Sequence, residues 1–350
     1  MAATLKDVAQ RAGVSIKTVS NVVHGYVHVT EEVRERVQAV LEELNYQPNL
    51  PARYLRTGRA GILAFAVPDL GNPYFSDMSN TIIAAAAAHS YTVLIDSTQG
   101  EYTNEMLIVD GLQPHLIDGV ILSPLTLKAK DLQARKRKTP LVLLGEHLLD
   151  VDVPYDRVAI DNVEAARLAT KHLLDQGRRR IATIGNQAPV SVIGGAGGQR
   201  RLRGYTKALA EAGLPLDPQL VFQISSYSRA EGALAMRCLL ALDSPPDGVF
   251  CFNDLLALGA MRALHEAGYR VPEDVAVIGF DDIEEARFAT PSLTTIAPDK
   301  EKIGELAVAF LLRRIDGTRA GAAERVEVPF HLIARESTGA KLKTDLRFYC

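Results

Sequence analysis

The chain has 350 residues, 47% hydrophobic and 23% charged, with a formal net charge of −3. This is the balance of a globular protein of two or three domains, not of a disordered or fibrous chain. No run of 18 apolar residues occurs, which excludes a helical membrane span. The chain starts directly in a capped amphipathic pattern, with no apolar signal core, so a cytoplasmic location is expected. Cys238, Cys251 and Cys350 lack metal-ligand spacing and fit a reducing compartment. No cofactor, metal or catalytic residue is expected.

Residues 4–26 read TLKDVAQRAGVSIKTVSNVVHGY. Thr4 with Asp7 is a helix-start signature, Val8, Ala9 and Ala12 give an apolar face, and Gly13 can end the helix. Ser15 caps a second helix whose Val19, Val22 and Val23 point inward. Helix, tight turn and helix within about twenty residues present the start of the second helix to a DNA major groove. The plainer alternative is a helical hairpin packed inside a larger domain. A third helix is expected over 30–46, capped by Thr30, with Glu31 and Glu32 at its positive end. Its apolar stripe is Val33, Val37, Val40, Leu41 and Leu44. Residues 1–59 hold eight Lys/Arg against six Asp/Glu, leaving −5 on the rest. That local excess can meet phosphate, although the whole chain is acidic.

In QPNLPARYLRTGRAG, Pro48 breaks the third helix, Asn49 can cap a new one and Thr57-Gly58 ends it. A helix this short needs a partner to stay formed.

From Gly61, apolar runs of strand length (GILAFAV, YTVLID, DGVILS, PLVLLG, RRIATIG, GVFCF, DVAVIGF) alternate with amphipathic stretches at 76–88, 162–175, 204–212 and 255–267. Continuous apolar strands between helices predict parallel sheets covered on both faces. The length predicts two similar α/β subdomains with a cleft between them. GGAGG at 194–198 lacks GxGxxG and P-loop spacing and reads as a cleft loop; HExxH and GxSxG are absent. A sugar-binding protein of the cell envelope would explain the core without the headpiece. A sugar- or nucleoside-processing enzyme would need a base and a nucleophile that are not evident.

The segments LKDVAQRAGVSIKTVSNVVHG, EEVRERVQAVLEELNYQPN, ARYLRTGR, VPDLGNPYF, AIDN, RRLRGY, FNDLLALGAMRAL, VIGFDDIEEARFATPSLTTI and ARESTG, in this order, resemble the lactose/galactose repressor (LacI) family of bacterial transcription regulators over almost the full length. The resemblance implies an all-α three-helix helix-turn-helix headpiece (1–47), a hinge helix (48–59) and an α/β core (60–340) of type I periplasmic-binding-protein fold. Its subdomains would span 60–160 with 291–320, and 161–290 with 321–340, with crossings near 161, 290–294 and 320; residues 341–350 are a tail. It implies a sequence-specific repressor of a near-palindromic double-stranded DNA operator, controlled by a small-molecule effector.

Lys17 can donate to guanine and Asn21 can pair with adenine or bind phosphate, while Ile16 can make only apolar contact. Ser15, Thr18 and Ser20 are candidates for phosphate contact. Leu55 matches the family's minor-groove wedge at the operator centre, flanked by Ala52, which keeps the helix surface low, and Arg56, which can reach phosphate. Tyr54 and Pro51 stand where the family has smaller residues. In the core, Tyr74, Phe75, Asp161, Arg201, Tyr227, Asn253 and Asp281 are expected to bind effector just after strands. Carboxylates, an amide and a guanidinium suit sugar hydroxyls, with a purine or nucleoside as the other reading. Alternatively Arg201 and Asp281 pair to hold the cleft shut, Asn253 caps a helix, and Tyr227 is a surface tyrosine. The tail AKLKTDLRFYC has Leu342 and Leu346 but no heptad repeat, so a homodimer is expected rather than a larger assembly.

Overall fold

A computed structural model of the chain describes residues 3–23, 28–46, 58–111, 116–136, 139–145, 153–187, 195–318 and 321–340. The chain divides into two compact units, Met1–Ala60 and Gly61–Cys350.

The first unit holds α1 (Leu5–Ala12), α2 (Ile16–Val23) and α3 (Glu31–Glu43). Thr4 and Asp7 form the reciprocal cap: Asp7 N donates to Thr4 Oγ1 at 3.3 Å and Thr4 N to Asp7 Oδ2 at 2.8 Å. Gly13, at φ 67°, lets the chain reverse into α2. Val8, Ala9, Ala12, Val19, Val22, Val37 and Val40 make the small shared core. Two expectations fail at α3. The Thr30 side chain makes no capping hydrogen bond. The helix also stops at Glu43, because Asn45 turns left-handed at φ 45° and Tyr46 N bonds back to Leu41 O at 2.9 Å.

The second unit contains two six-stranded sheets. The first runs β11-β5-β4-β3-β1-β2, with β1 (Ile62–Val67), β2 (Thr92–Ser97), β3 (Gly119–Leu122), β4 (Leu141–Leu144), β5 (Asp156–Ala159) and β11 (Arg325–Glu327). The second runs β12-β10-β9-β8-β6-β7, with β6 (Ile181–Asn186), β7 (Val221–Gln223), β8 (Gly248–Cys251), β9 (Ala276–Phe280), β10 (Thr294–Pro298) and β12 (Phe330–Ile333). All pairings are parallel except β10 with β12.

Period-2 alternation sends each strand's side chains into two cores, as the continuous apolar runs require. Leu63, Phe65 and Val67 of β1 face one core and Ala64 and Ala66 the other. In the second sheet, Phe250 faces one core and Val249 and Cys251 the other. In the first lobe, α4 (Pro73–Ala87) packs on α12 (Lys300–Ile315), which also covers β3, β4 and β5. In the second lobe, α7 (Asn162–Asp175) packs on α8 (Gly195–Glu211), and α9 (Arg229–Leu240) on α10 (Asp254–Glu266). The α7–α8 contact is so close that a Cβ on Gly204 would collide with the Val163 carbonyl oxygen.

Three features differ from the sequence expectation. β2 is an edge strand with Leu94 and Ile95 exposed, so that apolar run is not covered on both faces. The second crossing does not lie at 290–294: Thr294, Thr295 and Ile296 pair with β9, and the chain leaves the second lobe only after Pro298. These β-branched residues are strand formers. The third crossing is not near 320 either, because Arg325, Val326 and Glu327 still pair with β5 in the first sheet. The passage lies between β11 and β12, where Val328 N bonds to Ala159 O and Asp299 N to Pro329 O. The first crossing follows β5, at residues 160–161.

Candidate DNA-reading surface and effector cavity

On α2, Ser15, Ile16 and Lys17 are exposed, while Thr18, Ser20 and Asn21 are half-buried. Ile16 is 47% exposed, although it opens a helix with a valine core beneath it. Ser15 Oγ accepts from Thr18 N at 3.0 Å, and the two hydroxyls lie 2.8 Å apart. Ser15 therefore caps α2 and also holds the Thr18 side chain. Lys17 and Asn21 are four residues apart, so they lie on one helix face. Arg11 reaches Glu43 at 2.7 Å, linking α1 to α3 at the surface. Ala52, Leu55 and Arg56 lie outside the described residues, as does the tail with Cys350.

In the second unit, a cavity of about 200 Å³ opens between the two sheets. The first lobe contributes Tyr74, Phe75 and Met78 from α4 and residues 123–125 after β3. The second contributes Asn162, Gly198, Arg201, Tyr227, Asn253 and Asp281. Asn72 caps α4 by accepting from Tyr74 N at 3.1 Å. Tyr74 and Phe75 meet edge to face, centroids 5.2 Å apart at 71°. The buried Glu105 carboxylate fixes the loop after β3: it accepts from Leu125 N at 2.7 Å, Thr126 N at 3.1 Å, Leu127 N at 2.9 Å and Thr126 Oγ1 at 2.8 Å.

Arg201 is locked. Its Nε donates to Asn162 Oδ1 at 2.6 Å, its Nη1 donates to Phe252 O, and its guanidinium lies 3.7 Å from the Phe280 ring centroid, a cation–π stack. Tyr227 Oη donates to Gly185 O at 3.2 Å. A Cβ on Gly198 would come within 3.0 Å of that hydroxyl, so glycine there leaves room for the phenol. Burial pushes the Tyr227 hydroxyl up to about 12.

Asp281 is buried, and its carboxylate forms no hydrogen bond or ion pair with any described residue. Burial pushes its pKa up to about 7, against the downward pull of Arg201 and Lys300; Asp77 pushes it further up. Beside it, Asp254 is buried and pushed well above the carboxylate range, chiefly by burial and then by the Asp281 charge. Asp254 accepts from Thr295 Oγ1 at 2.6 Å and Ile283 N at 3.0 Å.

Six of the seven expected effector residues line this cavity. Asp161 does not: its Oδ1 accepts from Val163 N and Glu164 N, both at 3.0 Å, and caps α7. Its neighbour Asn162 takes the place at the wall. The Asp161/Glu164 spacing is itself a capping signature and could have given this reading. Asn253 both lines the cavity and caps α10, accepting from Leu256 N at 2.9 Å. No ion pair joins Arg201 to Asp281. The wall at residues 123–125 is not legible in sequence, because nothing in SPL marks it without Glu105.

A helix-turn-helix unit joined to a two-lobed α/β core with a polar cavity defines a ligand-responsive DNA-binding regulator. The comparisons with known proteins agree. The model of bacterial regulatory proteins of the lacI family matches residues 4–49, and that of the periplasmic binding protein-like domain matches 170–338. The chain is 35% identical over 341 residues to the HTH-type transcriptional repressor CytR of Escherichia coli K12, covering 97% of each. It is 28% identical to the lac repressor dimer bound to operator and the anti-inducer ONPF, covering 97% of this chain and 100% of that one, with a TM-score of 0.78. With the transcriptional regulator CelR in complex with cellobiose it shares 32% identity, covering 96% and 99%, at a TM-score of 0.70. The chain belongs to the LacI family and is a sequence-specific DNA-binding transcription regulator. No helix among the described residues is long and apolar enough to cross a membrane.

Proposed function

We propose that the protein is a cytoplasmic, non-enzymatic repressor that releases or grips a near-palindromic operator according to a polyhydroxyl effector, a sugar, bound in the core cavity. The observation that carries the effector reading is Asp281, a buried carboxylate with no hydrogen-bond or ion-pair partner among the described residues, which lines the same cavity as the locked guanidinium of Arg201. A carboxylate left unpaired in a closed site is costly, and ligand hydroxyls can satisfy it. Cellobiose in the CelR structure supports the sugar class. The aromatic rings of Tyr74 and Phe75 from the first lobe and Tyr227 from the second favour a second reading, a nucleoside whose base stacks on one of them. Calorimetric titration of sugars and nucleosides into the parent, Asp281→Ala and Arg201→Ala tests this. Loss of binding in both variants with the fold intact supports the site; unchanged affinity in both overturns it.

On the DNA side, Lys17, Asn21 and Ile16 read base edges, and Ser15, Thr18 and Ser20 position the backbone. Leu55 wedges the minor groove, flanked by Ala52 and Arg56. One headpiece buries too little surface for tight binding, so two act together in a homodimer. Exposed Ile83, Leu94 and Ile95 in the first lobe and Phe288, 72% exposed, in the second are the apolar surface such an assembly would cover. Sedimentation in reductant should give a dimer; a monomer at micromolar concentration or a reductant-resistant tetramer would overturn this.

A further inference from the structure

The turn after β9 carries two consecutive non-glycine residues in the left-handed region, Asp281 at φ 114° and Asp282 at φ 49°. Side-chain-bearing residues hold such angles only where their surroundings enforce them. Most of the enforcement comes from the second lobe itself. Asp281 N donates to Ile296 O at 2.8 Å and Ile283 N to Asp254 Oδ2 at 3.0 Å. Arg335 Nη2 donates to Asp282 Oδ1 at 2.6 Å and its Nη1 to Leu293 O at 2.8 Å.

Lys300 comes from the other lobe. It is the first residue of α12, which packs on α4 and the first sheet. Its Nζ donates to Asp282 O at 2.9 Å and to Asp77 Oδ2 at 2.5 Å. Asp77 lies on α4, next to cavity-lining Met78 and one turn from Tyr74. The ammonium also sits 6.0 Å from the Tyr74 ring centroid. The Lys300 side chain is only 16% exposed, so salt screens its charge weakly.

We infer that Lys300 is a positioning residue of the effector cavity: it ties the strained turn that presents Asp281 to α4 of the opposite lobe, and it supplies a cation beside the Asp281 carboxylate. Lys300 does not line the cavity, so it acts through Asp281 and through α4. The consequence for ligand rests on the reading of Asp281 as an effector contact; the bridge itself does not.

Among the described residues, the titratable and charged groups that act on Asp281 or on which it acts are Arg201 on α8, Lys300 on α12, Asp77 on α4, Asp254 on α10 and the Tyr227 hydroxyl. With its folded-state pKa raised to about 7 by burial, Asp281 keeps a proton that the unfolded chain has released above about pH 4. Stability therefore falls as pH rises across that window and levels off above it. Removing the Lys300 charge disfavours the ionised form further, so the decline should extend to higher pH.

The test is urea unfolding of the full-length protein, without ligand, from pH 5 to pH 9. It compares the parent, Lys300→Met, Lys300→Arg, Asp281→Asn, Asp77→Asn and the Lys300→Met/Asp281→Asn double variant. Lys300→Met should raise the upper end of the decline by roughly one pH unit and so destabilise more at pH 9 than at pH 5. That pH dependence should vanish in the Asp281→Asn background. Lys300→Arg should restore the parental profile. Asp77→Asn should move that upper end the opposite way, which keeps the test decisive if Lys300→Met does not fold. A Lys300→Met penalty that is equal at both pH values, or equal in both Asp281 backgrounds, overturns the inference. Calorimetry with Asp281→Ala decides the effector reading separately.

Discussion

The headpiece places its six described reading residues within 15–21, on one helix and its cap. The core gathers its cavity wall from residues as far apart as Phe65 and Ile303. Among the described residues, the buried core of the headpiece is seven small side chains, alanines and valines. The core buries Phe65, Phe250, Phe252, Phe280 and Phe310 between sheets and helices. A reading surface made of one helix needs little more than its caps and one layer beneath it. A cavity between two lobes needs a rigid wall on both sides, and here buried polar devices such as Glu105 and the locked Arg201 provide it. The difference predicts that the two units can be damaged separately.

The largest effect should come from the core. Phe250→Ala removes a fully buried ring between the second sheet and its helices and should cost about 3–5 kcal/mol in urea unfolding of the core. The headpiece should keep its helical signal; loss of both together would break the comparison. Next, Lys17→Ala should cost about 1–3 kcal/mol in operator affinity and relax preference at one base pair per half-site, with effector affinity unchanged. Equal weakening on every sequence would make Lys17 a phosphate contact instead. Leu55→Ala should reduce DNA bending and weaken specific binding more than non-specific binding, as read in a bending assay.

Smaller effects sharpen the contrast. Thr4→Ala removes the α1 cap and should cost the headpiece about 1 kcal/mol, visible as a lower headpiece melting temperature with the core transition unmoved. In the core, an effector that donates hydroxyl hydrogens to Asp281 binds the ionised carboxylate. Affinity should therefore rise as pH passes upward through about 7, and Asp281→Asn should flatten that slope. A pH-independent affinity in the parent would remove Asp281 from the ligand.

How much of this was legible in sequence follows the same division. The cap at Thr4, the turn at Gly13, the valine core of α2 and the exposed start of that helix depend on neighbours within four residues, and the sequence determined them. The seven strands that lie in continuous apolar runs were legible too, because continuous hydrophobicity of strand length has few other uses in a chain of alternating elements. The strands β5, β7, β10, β11 and β12 were not legible: DRVA, VFQ, TTIAP, RVE and FHLI carry no continuous apolar run, and pairing with neighbours far along the chain decides them. The crossings moved for the same reason: Thr294, Thr295 and Ile296 become a strand only because β9 lies beside them. At the cavity, the structure brings together Tyr74, Phe75, Arg201, Tyr227, Asn253 and Asp281, six of the residues expected from sequence to meet an effector. Asp161 stays apart from them, because its carboxylate is taken up by two backbone N–H groups of its own helix. Only the tertiary structure decided that Asp281 has no hydrogen-bond or ion-pair partner among the described residues, that Glu105 holds the opposite wall and that Lys300 links the two lobes, because each depends on which distant groups burial brings within reach.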